Sequence, residues 1–271
     1  MPITPVFDIE RSGRAMRVAA FMSGSGTNIM RLIEWENNLR IEEGISPFEV
    51  VFIFSDRSDG TCVGEKIALD NGIPYFSYDI RSFHRLRSLN RTVNTTEGLA
   101  ARREYDSVAG RLVEIFEIDL IALGGYMSYT TLKRCVNIHP SDLSILLPDK
   151  CRKYVGENAV RDAITAGESM LCASTLWTDE GVDTGPLLMV SDPIPVKLSE
   201  PLEILIKDNK RLLKVVDEHQ QSLKRKADWK IFPLTIEMIA RGRFAFDENN
   251  RVYVDGRPVP DGYRGMNKSS V

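Results

Sequence analysis

With 271 residues and 43% hydrophobic content, the chain can bury a sizeable core as one large domain. Its 35 basic and 38 acidic residues leave a net charge of −3, which excludes a polybasic footprint for nucleic acid or for an anionic membrane surface. Cys62, Cys135, Cys151 and Cys172 form no C-x-x-C pair, a pattern of reduced thiols in a cytoplasmic protein rather than of disulfides or a zinc site.

Residues 1–15 are polar with two prolines and read as a disordered or peripheral N-terminal arm. Arg17–Met22 is an apolar run of strand length, too short to span a bilayer. The loop Ser23-Gly24-Ser25-Gly26-Thr27-Asn28 follows, and then a helical pattern. Strand, glycine loop and helix together offer backbone N–H groups and a positive helix end to a phosphate. The loop lacks the P-loop lysine and the full G-x-G-x-x-G spacing, so a tight turn explains it equally well.

Phe48–Ser55 reads as a second strand, Cys62–Asn71 as a helix closed by Gly72, and Pro74–Tyr78 as a third strand. The alternation predicts a doubly wound, mostly parallel, Rossmann-like α/β sheet. Asp56, in a Ser-Asp-Arg-Ser-Asp stretch, reads as a turn residue. Residues 80–100 are arginine-rich and weakly patterned, a long surface connection or a lid. Glu104–Glu117 is an amphipathic helix, and Leu120–Leu123 is an apolar strand ended by Gly124-Gly125-Tyr126-Met127.

Val136–Ile138 is a further strand, running into His139-Pro140-Ser141. Ligands of open parallel sheets bind outside the carboxyl ends of the strands. The Ser23–Asn28 loop, the Gly124–Met127 turn and Asn137/His139 all fall at such ends. Asn137 and His139 are two apart in an extended strand and so share a face. An amide and an imidazole there can donate to a carbonyl oxygen as it becomes an oxyanion. A lone histidine is as readily structural. Asp183, in the stretch Asp179–Pro186, can orient the ring and favour its charged form. No nucleophile nearby has the right neighbours: the cysteines lack a histidine partner in sequence, and Ser141 comes nearest to one.

Beyond this, Ser141–Tyr154 is irregular, and a helix spans Ala159 to about Gly167. Ser169–Thr178 and Pro186–Pro195 read as strands. Ser199 is placed to cap a long helix. Ile231–Gly242 forms another helix, and Phe244–Asp247 with Arg251–Val254 forms a hairpin. The organisation expected is an arm at 1–15, an α/β domain at 16–198, and a helical and hairpin extension at 199–271 packed on the same domain.

The glycine loop, the Gly-Gly-Tyr-Met turn, Asn137-Ile138-His139-Pro140-Ser141 and Asp179–Pro186 occur in the order found in the folate-dependent phosphoribosylglycinamide formyltransferases, which this chain resembles. Ile231-Phe232-Pro233-Leu234, Arg241-Gly242-Arg243 and Val254-Asp255-Gly256 resemble that family's C-terminus. The resemblance implies formyl transfer from 10-formyltetrahydrofolate to the amine of 5'-phosphoribosylglycinamide, with no acyl-enzyme and no metal. Asn137, His139 and Asp183 match the family's catalytic trio. Asn137 and protonated His139 would hold the oxyanion, and Asp183 would keep His139 charged and help to move a proton. Gly26, Thr27 and Asn28 match its phosphate loop. Arg225 falls at its phosphate-contacting position and Asp228 at its ribose-binding position, within a Lys-Arg-Lys run that also reads as a solvated helix face. Met127, Tyr129 and Val182 would border the folate pocket, or simply pack the core. The partners implied are these two small molecules, with no nucleic acid and no membrane; the oligomeric state is open, a homodimer included.

The chain departs from that family in several places. Asp142–Cys151 reads as an insertion of about eight residues in a loop, where length is tolerated. Ser128 stands where an arginine is frequent, Thr175 and Leu176 where a histidine is frequent, and Glu157 and Asn158 where another histidine falls. A formyltetrahydrofolate hydrolase would use the same trio, but would carry a regulatory domain ahead of residue 16. A tRNA formyltransferase would carry an added RNA-binding domain. A sugar-nucleotide formyltransferase and a ligand-binding homologue without turnover complete the alternatives.

Overall fold

A computed structural model describes residues 2–265. Contacts gather the chain into two compact units, one of Phe7–Asn137 with Ile239–Gly242, the other chiefly of Ile138–Met238 and the residues from Arg243 onward. The changeover lies inside the strand Cys135–His139, and residues 199–238 share a unit with 138–198.

The first unit is built on a parallel sheet. Tyr75–Ser77, Phe48–Ser55, Met16–Met22, Leu120–Leu123 and the start of Cys135–His139 lie side by side in that order. Phe-Glu-Val-Val-Phe-Ile-Phe-Ser suits such a strand: aromatic and β-branched residues run without polar alternation because both faces are covered. Ala19, Phe21, Phe52, Phe54, Ile121, Leu123 and Cys135 form one buried face against Ala109, Leu112 and Val113 of the helix Thr96–Ile115. Met22 points to the other face, where a Cβ on Gly26 or Gly64 would lie 2.4 Å or 3.2 Å from it. These glycines let the helices Thr27–Glu43 and Gly64–Asn71 approach the sheet closely. The mostly parallel, doubly wound α/β class expected from the sequence is the one observed.

Residues 80–100 are more regular than their composition suggests. Asp79 caps a helix at Ile80–Leu86, and Thr95 caps the helix that starts at Thr96. Ile80 and Phe83 pack with Tyr105 beneath the arginines, so the apolar stripe is only two residues wide. The irregular part shrinks to the residues between these helices.

In the second unit, Ser174–Trp177 and Leu187–Val190 pair antiparallel, with a register shift between Thr175 and Leu176. Met170–Leu171 and Ile194–Pro195 form a separate short pair, so each of the two long strands expected here is broken. The N-terminal residues are not a loose arm: Thr4–Pro5 pairs with Ala245 and Phe246, extending the hairpin of Phe244–Phe246 and Val252–Val254. Ser199 does not cap the long helix. That helix spans Asn209–Leu223, and Asp208 caps it by accepting from the Lys210 and Arg211 amides at 3.1 and 3.2 Å. It runs through one π-turn, Lys224–Asp228, into Trp229–Ala240. The last six residues of the expected extension lie outside the described residues.

Candidate active site

His139 ends the strand Cys135–His139, and Asn137 lies two residues earlier on it. His139 is 5% exposed, whereas Asn137 is half-buried. His139 Nδ1 lies 3.3 Å from Asp183 Oδ2. Its Nε2 lies 3.1 Å from the Tyr154 carbonyl oxygen, which also accepts from Ser141 Oγ at 2.7 Å. Gly156 N donates to Asp183 Oδ2 at 2.9 Å. The pair is therefore enclosed by one stretch, residues 152–156, supplying an acceptor to the histidine and a donor to the aspartate.

Both ring nitrogens face acceptors. Nε2 must carry a proton to meet the carbonyl, and a second proton must lie between Nδ1 and Oδ2. Burial pushes His139 below the usual imidazole range, and the Arg152 charge acts in the same direction. The Asp183 carboxylate and the Tyr154 carbonyl oppose them. In this arrangement the Nε2–H of His139 is engaged by the Tyr154 carbonyl, so donation to an oxyanion would require its release. Ser141 is likewise engaged as a donor and is only 2% exposed, so it presents no free nucleophile.

Asp183 itself has φ 55°, in the left-handed region that disfavours a side chain. Its turn is braced internally. Asp179 Oδ1 accepts from Gly181 N at 3.0 Å and from Thr184 Oγ1 at 2.7 Å, and a Cβ on Gly185 would come within 1.9 Å of the Trp177 carbonyl oxygen. The expected insertion forms a small hairpin: Leu147 N donates to Cys151 O at 2.8 Å, and Lys153 N to Ile145 O at 3.0 Å. Its returning limb carries Arg152, whose guanidinium donates to the Asp183 and Gly185 carbonyls. Sequence reasoning passed over Arg152. The only local sign was its place in a basic run with Lys150 and Lys153.

In the first unit, Ser23 Oγ accepts from Met127 N at 2.9 Å and Ser23 N donates to Gly125 O at 3.0 Å, so the glycine loop and the Gly-Gly-Tyr-Met turn are stitched together. Gly26 is left-handed and opens the 17-residue helix Thr27–Glu43. That helix start has no side-chain cap, so its first amides are free to meet an anion. Thr27 Oγ1 and Asn28 Oδ1 are buried without a partner among the described residues. Met127 is 61% exposed and Tyr129 half-buried. Ser128 donates to Asp56, a 1% exposed carboxylate rather than the surface turn residue expected.

In the second unit, Asp228 sits at the end of the π-turn, 7% exposed, with Oδ1 unpartnered among the described residues. Burial pushes its carboxyl up to about 6, with Lys224 opposing. π-turns inside helices are frequent at functional sites. Arg225, three residues before, is exposed. Val182, beside Asp183, is 58% exposed.

The sequence model of the formyl transferase family matches residues 16–207. This chain belongs to the formyl transferase family. Within it, a phosphoribosylglycinamide formyltransferase of Haemophilus influenzae is 25% identical over 251 residues, spanning 90% of this chain and 96% of that protein. The trifunctional purine biosynthetic protein adenosine-3 of Drosophila melanogaster is 31% identical over 192 residues, 68% of this chain and 12% of that much longer protein. Among solved structures, the phosphoribosylglycinamide formyltransferase of Coxiella burnetii in complex with CHES matches with a TM-score of 0.62 at 24% identity, covering 93% of this chain and 99% of that one. At that identity the likeness shows the fold. No helix among the described residues is long and apolar enough to cross a membrane.

Proposed function

We propose that this formyl transferase moves the formyl group of 10-formyltetrahydrofolate to the amine of 5'-phosphoribosylglycinamide, a step of purine synthesis. The observation that carries the reading is the enclosed His139–Asp183 pair at the end of the strand that also bears Asn137. Relatives aligned over most of this chain bear the name of that activity, which supports the choice of substrates.

In this reading the amine nitrogen attacks the formyl carbon directly. A carbon–nitrogen bond forms, and the formyl oxygen becomes an oxyanion. The Asn137 amide, half-exposed on the strand, donates to that oxygen. Asp183 takes the proton that the amine must lose, directly or through water. The carbon–N10 bond then breaks, and the proton taken by Asp183 passes to the leaving folate nitrogen, directly or through water. His139 acts through Asp183 by fixing Oδ2, and would reach the oxyanion only by releasing the Tyr154 carbonyl.

The remaining residues hold the substrates. Thr27, Asn28 and the amides at the start of their helix bind the ribonucleotide phosphate. The family resemblance gives Arg225 a phosphate-contacting role as well. The buried Asp228 carboxylate accepts from the ribose hydroxyls, which would satisfy its unpartnered Oδ1. Met127, with Tyr129 two residues on, and separately Val182 are exposed apolar side chains of the kind that the folate resemblance assigns to the donor.

An assay of the purified protein with both substrates tests this. Formylated ribonucleotide, formed only when the acceptor is present, is the expected result. Formate released without acceptor would make the protein a hydrolase, and ligand binding with neither product would make it a non-catalytic homologue.

A further inference from the structure

The proposed proton acceptor sits in an awkward place. Asp183 has a left-handed backbone, costing on the order of 1–3 kcal/mol, in a turn whose neighbours Val182 and Thr184 are exposed. Such a residue keeps one geometry only if its surroundings over-determine it. Asp179 and Gly185 restrain the turn from inside. From outside, Arg152 alone among the described residues reaches it with two donors. Nη1 bonds the Asp183 carbonyl and Nη2 the Gly185 carbonyl at 2.7 Å. A planar guanidinium spanning two carbonyls two residues apart fixes both peptide planes between them, which a lysine ammonium cannot do.

We propose that Arg152 is a positioning residue of the formyl-transfer site, a fork on the hairpin of residues 145–153 that locks the backbone of Asp183 and so aims its carboxylate at His139 and at the reacting amine. The inference rests on the formyl-transfer reading for its kinetic arm only. The hairpin gives the fork its anchor: Leu146 bridges Arg152 across it, and Lys153 and Tyr154 Oη tie the following residues to Glu168 at 3.1 and 2.6 Å. The hairpin of residues 145–153 is thereby part of the site's frame and not a surface appendage. The charged groups facing His139 are the Asp183 carboxylate and the Arg152 guanidinium, and Arg152 opposes a proton on the ring.

Three variants separate geometry from charge. Arg152→Ala should lower kcat by roughly 10–100-fold, the scale expected of a misplaced catalytic group, with the Michaelis constant for the ribonucleotide within about 2-fold. Added guanidinium ion should restore part of the lost rate. Arg152→Lys should lose rate but keep its charge, and should not respond to guanidinium. The second readout needs no turnover: an NMR titration of the His139 ring in the full-length protein without substrates. Its midpoint should move up in Arg152→Ala and Arg152→Gln and stay near wild type in Arg152→Lys. Wild-type kcat in Arg152→Ala and Arg152→Gln would overturn the proposal whatever the midpoint does, provided melting curves show them folded. If Arg152→Ala does not fold, Arg152→Lys and Arg152→Gln decide it on the same two readouts. A moved midpoint in a protein that shows no formyl transfer would leave Arg152 in place and reject the activity instead.

Discussion

The His139–Asp183 pair and the polar atoms of Thr27, Asn28 and Asp228 are all buried, yet the first is closed and the second are left open. Every nitrogen of His139 has a protein partner, and Asp183 Oδ2 has two. Thr27 Oγ1, Asn28 Oδ1 and Asp228 Oδ1 have none among the described residues. A buried polar atom without a partner costs roughly 1–3 kcal/mol. The closed pair lowers the reorganisation needed during reaction, as a preorganised site does. The open atoms instead hold an unmet demand that a ligand can satisfy. If this contrast separates chemistry from binding, substitutions in the closed group should fall on kcat and those in the open group on the Michaelis constant.

The largest effect is expected at the closed end. Asp183→Asn keeps the shape but removes the proton acceptor, and should lower kcat by about 10²–10⁴-fold. The Michaelis constant for the ribonucleotide should stay within a few-fold. Steady-state kinetics with both substrates varied will show it; near-wild-type turnover would end the assignment. Asn137→Ala comes next. Removing one oxyanion donor should cost about 10²–10³-fold in kcat. A change confined to the Michaelis constant would place Asn137 in the binding group instead.

How much of this contrast is legible in the sequence follows from what each partner is. Phe48–Ser55 and Leu120–Leu123 are read to the residue, because continuous apolar runs end abruptly in turns. Asn137 and His139 are paired by strand spacing alone. What closes the pair is not readable: the acceptor on Nε2 is the Tyr154 backbone carbonyl, and the donor to Oδ2 is the Gly156 backbone amide. Main-chain groups carry no letter in the sequence. Arg152 carries one, but its partners are carbonyls about thirty residues later, with no periodicity to link them. The helix Ile80–Leu86 hides behind arginines because its core face needs only Ile80 and Phe83. The cap at Asp208 and the plausible one at Ser199 look alike locally, and only the intervening turn at Leu202–Leu205 distinguishes them.

At the open end the effects are smaller and run in opposite directions for binding and stability. Asp228 is raised from 3.8 to about 6 by burial. The unfolded chain therefore releases this proton first as pH rises, so the fold is most stable below about pH 4 with respect to this group and loses stability up to about pH 6. The loss is on the order of 3 kcal/mol. Asp228→Asn should remove that slope and raise the melting temperature of the ligand-free protein at pH 7.5. It should at the same time raise the Michaelis constant for the ribonucleotide about 10-fold. Melting curves between pH 4 and 8, set beside kinetics, test both halves; a lowered melting temperature would show that the carboxylate serves the fold.

The smallest change probes the helix start. Thr27→Val keeps the shape of the side chain and deletes only the hydroxyl whose oxygen has no partner. Losing one hydrogen bond to a charged phosphate is worth about 1.5–3 kcal/mol in a fully formed site, and less where backbone amides share the anion. The Michaelis constant for the ribonucleotide, and the inhibition constant of inorganic phosphate as its competitor, should therefore rise together by about 5-fold. The melting temperature should hold or rise, because an unmet buried hydroxyl has been removed. A parallel rise in both constants ties the effect to the phosphate, since phosphate lacks the rest of the substrate. If the substrate constant rose alone, Thr27 would be reading some other part of the ribonucleotide. If the melting temperature fell instead, the hydroxyl would have a structural partner, and the helix start would join the closed group.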